Sequence, residues 1–299
     1  MLRPMIQLAL AAIAGLLIAG CKEQGPVELV DGGAEDQIEI VSPPPQAAPG
    51  MELGETDSAG IIPLPAHGVS GHLLVAGARY DGPLASLGAS LGRAIFFDRS
   101  LPVTLPGNRL TFKTLDLGTI DLNGVPLMKV DKRVRGMLID TLLGVQYLLY
   151  NKGSGGFQYQ GGITYAWSGT GSGSVSPFTL EVGAPPDLII ETPTPSTVVR
   201  TDEDLKARWS GGGARVQLVI SNAGDARIDS HPILHLRLGK NRGGALIPSR
   251  ILKLLPTNRD RFVFTFFSDS SRVASIDGFP DDVLVEALTS HSILVRMTR

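Results

Sequence analysis

The sequence predicts a mainly-β protein built from two sandwich-like domains. Three observations carry this. Gly (36) and Pro (21) are abundant in 299 residues, as turn-rich chains of short strands require. Apolar and polar residues alternate with period two along many short runs, most clearly after residue 185. Runs with helical spacing are few and short. The composition, 43% apolar and 19% charged, suits a folded chain long enough for two cores. A net charge of −2 is unlike that of a strongly basic nucleic-acid binder. The single cysteine permits no internal disulfide. No apolar run long enough for a second membrane span follows residue 20.

Residues 1–20 read as a signal segment. Arg3 supplies the basic start, and Met5 to Ile18 is apolar except for Gln7. The run ends in Ile18-Ala19-Gly20-Cys21, which resembles a bacterial lipobox. The resemblance implies cleavage before Cys21, acylation of Cys21, and membrane attachment through its acyl chains. Each buried methylene of such chains adds about 0.8 kcal/mol, so several chains hold a protein firmly. Lys22 stands where Asp would resemble an inner-membrane retention signal. The resemblance therefore implies an envelope protein of the outer membrane. An ordinary secretory signal, or an uncleaved anchor with an incidental cysteine, is the plain alternative.

Residues 21–65 are expected to form a disordered acidic tether. Residues 22–60 hold nine acidic side chains against Lys22, and they include Pro43-Pro44-Pro45 and Pro49-Gly50. The rest of the chain is mildly basic, with 25 Lys+Arg against 20 Asp+Glu over residues 61–299.

Residues 66–184 form the first expected domain. Strand-like runs cover His72–Ala76, Ala94–Phe97, Leu110–Leu115, Thr119–Leu122, Val145–Tyr150, Ile163–Trp167 and Pro177–Val182. Leu110, Phe112 and Thr114 are assigned one face, as are Ile163, Tyr165 and Trp167. Asn123-Gly124 and Gly161-Gly162 read as hairpin turns. Val134, Met137, Leu138, Thr141 and Leu142 have helical spacing, with Asp131 as a cap and Gly144 as a stop. One short helix is therefore expected there. Leu84, Leu87 and Leu91 are spaced similarly, but Gly88 and Gly92 weaken that segment.

Residues 185–299 form the second expected domain, entered through the stiff link Ala184-Pro185-Pro186-Asp187. Leu205, Ala207 and Trp209 point one way, as do Val216, Leu218 and Ile220, then Leu234, Leu236 and Leu238. Phe262–Phe267 is apolar nearly throughout and reads as a central strand. Val283–Ala287 and Ile293–Met297 read as two closing strands, and Ser249 as the cap of a short helix. Pro193 with Thr197-Val198-Val199, the Asp204-Leu205…Trp209 run, Val216–Ser221 and Gly243–Pro248 together resemble immunoglobulin-like domains of secreted surface proteins. The resemblance implies a sandwich whose Trp209, lacking a cysteine pair, packs on aliphatic side chains. It implies no single function, since this scaffold hosts adhesion, polysaccharide binding and spacing alike.

Candidate sites are sparse. Arg237, Lys240, Arg242, Arg250, Lys253, Arg259 and Arg261 form a basic stretch that would bind an anionic polymer if the fold converged them. The plain alternative is a solvated face. His231 and His235 lie on a strand pattern without further ligands, so no metal site is expected. His67, His72 and His291 read as surface or satisfied core histidines. Asp202-Glu203-Asp204 and Asp281-Asp282 lack calcium-loop spacing. Tyr159, Tyr165 and Trp167 would suit sugar stacking but more simply suit a core. The Gly/Ser-rich stretches 151–156 and 168–174 lack the context of a phosphate loop or a nucleophile elbow.

No cofactor is expected, and no catalytic constellation is recognisable. The reading is a lipid-anchored envelope or cell-surface protein acting as a non-catalytic binding, adhesion or structural module. Its partners would be envelope polysaccharide or another surface protein, and not nucleic acid. A secreted hydrolase with dispersed residues and an anionic-polymer binder are the alternatives.

Overall fold

The computed structural model describes residues 28–32, 36–41, 69–83, 85–105, 109–136, 139–150, 157–195, 197–223 and 232–299. Met1 to Val27, with Cys21, lie outside them, as do His67, His231 and the 151–156 stretch.

The described chain is almost all strand. It opens with β1 (Glu28–Gly32), β2 (Asp36–Val41), β3 (Val69–Asp81), β4 (Ser86–Leu105), β5 (Arg109–Thr114) and β6 (Ile120–Leu122). Then come β7 (Val125–Pro126), β8 (Met128–Gly136), β9 (Ile139–Tyr150), β10 (Thr164–Gly169) and β11 (Phe178–Gly183). After the proline link follow β12 (Ile189–Thr192), β13 (Val198–Arg200), β14 (Leu205–Ser210), β15 (Arg215–Asn222), β16 (Pro232–Lys240) and β17 (Gly244–Ile247). The helical turn α1 (Ser249–Leu252) precedes the long β18 (Arg261–Ser275) and β19 (Asp282–Thr298).

A 12-stranded sheet is the frame. Its order is β1-β2-β16-β15-β18-β19-β3-β4-β9-β8, with β13 also on β19 and β5 also on β4. Two smaller sheets complete two sandwiches. The 3-stranded sheet β12-β14-β17 shares a core with β15, β16 and the outer half of the β18–β19 hairpin. Leu205, Ala207, Trp209, Val216, Leu218, Ile220, Leu234, Leu236 and Leu238 are all buried in it, as the alternation predicts. β14 pairs with β12 on one side and β17 on the other, and β13 runs parallel to β19. Trp209 packs on Phe266, ring centroids 5.5 Å apart, and donates Nε1–H to Asn241 Oδ1 at 2.9 Å. The cluster around it is otherwise largely aliphatic, with Leu188, Ile190, Val216 and Leu218 among its members, as expected.

The 4-stranded sheet β11-β10-β6-β7 covers the other half of the frame. Leu73, Val75, Phe96, Tyr165 and Trp167 are buried there with Val283, Val285 and Ala287 of β19. Asn123 and Gly124 make the two-residue turn from β6 to β7, both at positive φ (50° and 75°), as an Asn-Gly hairpin requires.

The link at 184–187 is a fixed corner. Pro185 carbonyl accepts from Gly162 N–H, and Pro186 carbonyl from Gly212 N–H. The link separates two cores in sequence, but β19 returns across it. Its residues 283–287 enter the first core and residues 293–297 the second.

Several local expectations are overturned. The helix over 131–144 is a β-hairpin: Val134 pairs with Thr141 and Lys132 with Gly144. Its apolar spacing falls on two paired strands, with a register shift between Lys132 and Arg133, while Met137 and Leu138 lie outside the described residues. Residues 86–92 are likewise strand. The tether expected over 21–65 contains β1 and β2, and Ile38 is buried in the second core while Glu39 pairs with Arg237. The Ile38-Glu39-Ile40 alternation outweighs the acidic composition around it.

Leu110 is 56% exposed while Thr111 is buried, although Phe112 of the expected inner face packs on Ile95 and Phe97 and Thr114 is buried. Gly162 stands at a turn into β10 rather than in a hairpin. The two closing strands are one continuous β19. Ser249 makes no side-chain cap; its N–H is taken by Asp204 Oδ1 at 2.7 Å.

Candidate functional site

The basic stretch is dispersed by the strands that carry it. Lys240 ends β16 opposite Arg215, and Arg242 lies in the turn that follows. Arg261 begins β18 at the far end of the same sandwich, since β18 runs antiparallel to β15 and its Phe267, not Arg261, approaches the start of β15. Arg250 sits in α1, Lys253 just after it, and Arg259 in the loop before β18. Acids are interleaved at that end. Asp202 and Glu203 pair with Arg200, and Asp260 pairs with Arg296. Arg237 is held by Glu39 at 3.2 Å on the sheet face. Strand direction therefore places Arg237, the Lys240–Arg242 pair and the 250–261 group in three places.

Three described histidines are buried, on strands of the large sheet. His72 of β3 stands between Arg93 of β4 and Glu286 of β19. Arg93 donates to His72 Nδ1 at 3.2 Å, so Nε2 carries the proton and donates to Glu286 Oε2 at 2.9 Å. Burial lowers the Arg93 pKa to about 10, with the Glu286 charge opposing. His291 Nδ1 accepts from Ile190 N–H at 2.8 Å, and its Nε2–H donates to Asp81 Oδ2 at 3.0 Å. Burial pushes its pKa down, against the pull of Asp81. With both ring nitrogens taken, neither His72 nor His291 is placed to accept a proton from a nucleophile.

His235 donates Nε2–H to Gln217 Oε1 at 2.8 Å, and Gln217 Nε2 donates to Asp269 Oδ1 at 3.3 Å. Burial brings the His235 pKa down to about 4. Asp269 is raised by desolvation and then by the Glu286 charge. Register puts Asp269 opposite Leu288 and Ser271 opposite Glu286, so the two carboxylates are diagonal neighbours on an open sheet face rather than across a cleft. The sequence pattern marks none of this network, because its members come from four strands.

Tyr159, Tyr165 and Trp167 are core residues, with Tyr159 stacked on Tyr165 at 5.6 Å. No cluster of three or more metal-ligating side chains occurs among the described residues. A shallow groove of about 310 Å³ lies between the edge of β11 and β18, with Glu181, Val182, Ser270 and Arg272 among its walls.

No protein-family model and no curated protein matches the chain. Two solved structures have low similarity to it: the yeast delta-COP-I mu-homology domain, and the same domain complexed with the Dsl1 WxWxV peptide. Identity is 10% and 12%; each alignment covers 77% of this chain and 98% of that chain, with a TM-score of 0.21. At that score the likeness carries no argument.

Proposed function

We propose that this chain is a lipid-anchored protein of a bacterial envelope, held at the outer membrane by acyl chains on Cys21. Its β-rich body acts as a non-catalytic binding or structural module. The observation that carries the reading is Ile18-Ala19-Gly20-Cys21 at the end of a short apolar run. The mainly-β body of two sandwiches is compatible with display from a membrane. Saturated nitrogens on His72 and His291, and carboxylates on an open face, weigh against the hydrolase alternative. The three-way dispersal of the basic residues weighs against a single anionic-polymer patch, leaving a protein surface as the favoured partner.

The test is metabolic labelling with an alkyne-bearing fatty acid, followed by membrane fractionation. Wild-type chain is expected in the membrane fraction with label. Cys21→Ser should lose both. Label retained on Cys21→Ser removes the reading.

A further inference from the structure

We propose that the unpaired edge of β18 beyond Ser268 is a strand-addition site for an extended, acidic segment of a partner polypeptide. This deepens the binding-module reading and does not depend on the lipid anchor.

The argument starts from hydrogen-bond parity. Ala223 N–H donates to Arg261 carbonyl on the β15 side, and Met297 N–H donates to Asp260 carbonyl on the β19 side. In an antiparallel ladder these directions alternate residue by residue. Odd-numbered residues of β18 therefore direct their backbone groups toward β15, and even-numbered residues direct theirs toward β19.

The β19 side is paired along the whole strand, from Arg261 to Ser275. The β15 side is paired only from Phe262 to Phe267. There β15 ends, and Gly213 N–H turns to the Ser268 hydroxyl instead. Ser271, Val273 and Ser275 are left with N–H and C=O groups directed outward and no strand beside them among the described residues. That edge is about 17 Å long. It carries neither proline nor lysine, the usual blocks to pairing, and Val273 is 55% exposed.

The edge is also the rim of the groove. Ala184 N–H donates to Ile163 carbonyl, so by the same parity Thr179, Glu181 and Gly183 of β11 direct their backbone groups away from β10. Among the described residues both layers of the first sandwich end in unpaired edges on the same side, with the groove between them. A strand laid along Ser271–Ser275 continues the line of β15. Its side chains opposite Ser270, Arg272 and Ala274 then face the groove.

Arg272 selects the occupant. Among the described residues it makes no ion pair or side-chain hydrogen bond, and it lines the groove. A carboxylate opposite it supplies the missing charge. A second copy of this chain, pairing through the same edge, brings another arginine beside it and no acid. Backbone pairing thus gives the affinity and Arg272 the register, as in recognition by β-augmentation.

The test uses the full chain and a display library of random seven-residue peptides, counter-selected on Val273→Pro. The Val273 N–H serves no ladder bond, so proline there blocks the edge and leaves the β19 pairing intact; an unchanged thermal midpoint checks this. Enriched peptides are expected to carry Asp or Glu at one fixed position. The most enriched synthetic peptide should slow amide exchange at Ser271, Val273 and Ser275. Its affinity should fall roughly tenfold or more on Val273→Pro. Arg272→Glu should shift the selected position to Lys or Arg.

Enrichment of no peptide, or equal binding to Val273→Pro, overturns the proposal. So do amides at Ser271 and Val273 already protected in the free chain, because the edge is then occupied by the chain itself or by a second copy. None of these outcomes touches the fatty-acid labelling of Cys21.

Discussion

The two halves of the β18–β19 hairpin use the same pairing for different purposes. From Phe262 to Phe267, β18 lies between β15 and β19 and carries four phenylalanines, all buried. From Asp269 to Ser275 it has one neighbour among the described residues, and its side chains are mostly exposed. The change falls at Ser268, whose hydroxyl accepts from Gly213 N–H and donates to Arg215 carbonyl, closing the end of β15. A single strand is thus a sheet interior in one sandwich and a sheet edge in the other. Its composition changes at the point where its second neighbour ends.

The largest expected effect breaks the comparison at its apolar half. Phe264→Ala should cost about 3–5 kcal/mol in urea unfolding, as a fully buried phenylalanine does, whereas Val273→Ala should stay within about 0.5 kcal/mol. Equal costs would mean that the two halves are not distinct.

The next effect is pH dependence at the paired half. His235 is buried and its pKa is lowered to about 4. The neutral form is therefore favoured by folding, so its contribution is full above the unfolded value near 6.5 and is lost as pH falls toward 4. The shift corresponds to about 3 kcal/mol. His235→Gln should lose that share of the stability difference between pH 7 and pH 4. Asp269 has the opposite sign: its raised pKa makes folding favour the protonated form, so Asp269→Asn should modestly stabilise the chain at neutral pH.

A smaller effect tests the seam between the halves. Glu286→Ala leaves buried Arg93 and His72 without their carboxylate and should cost about 2 kcal/mol, the part exposure of Glu286 discounting the figure for a buried pair. Replacing Arg93 with Met in the same chain should recover most of that loss. The smallest is Arg237→Ala, which removes an exposed pair with Glu39 and should cost under about 1 kcal/mol. A larger loss would show that β2 is held to β16 by charge rather than by Ile38.

Legibility followed the same division. Along β14, β15 and β16 one face is core and the other polar, so period-two alternation identified the inward residues before any partner was known. Alternation gives a face but no neighbour. It therefore missed that β19 pairs with β3 and that residues 283–287 belong to the first core. The paired strands β8 and β9 have a helical spacing because Val134 belongs to one and Thr141 and Leu142 to the other. The network of His72, Arg93 and Glu286 was invisible for the reason that separates the basic residues: strand order, not sequence distance, decides which side chains meet.

The position of β19 has a consequence for how the molecule is made. The last strand of the chain stands in the middle of the large sheet, between β18 and β3, and 214 residues separate His72 from its partner Glu286. The first sandwich therefore cannot finish when its own residues leave the ribosome. Until Asp282 to Thr298 emerge, β3 has one edge unfilled and the core lacks Val283, Val285 and Ala287. Such late, long-range closure slows folding and leaves apolar strand edges open to misassembly. A nascent chain lacking only its final strand would be incomplete in both sandwiches at once.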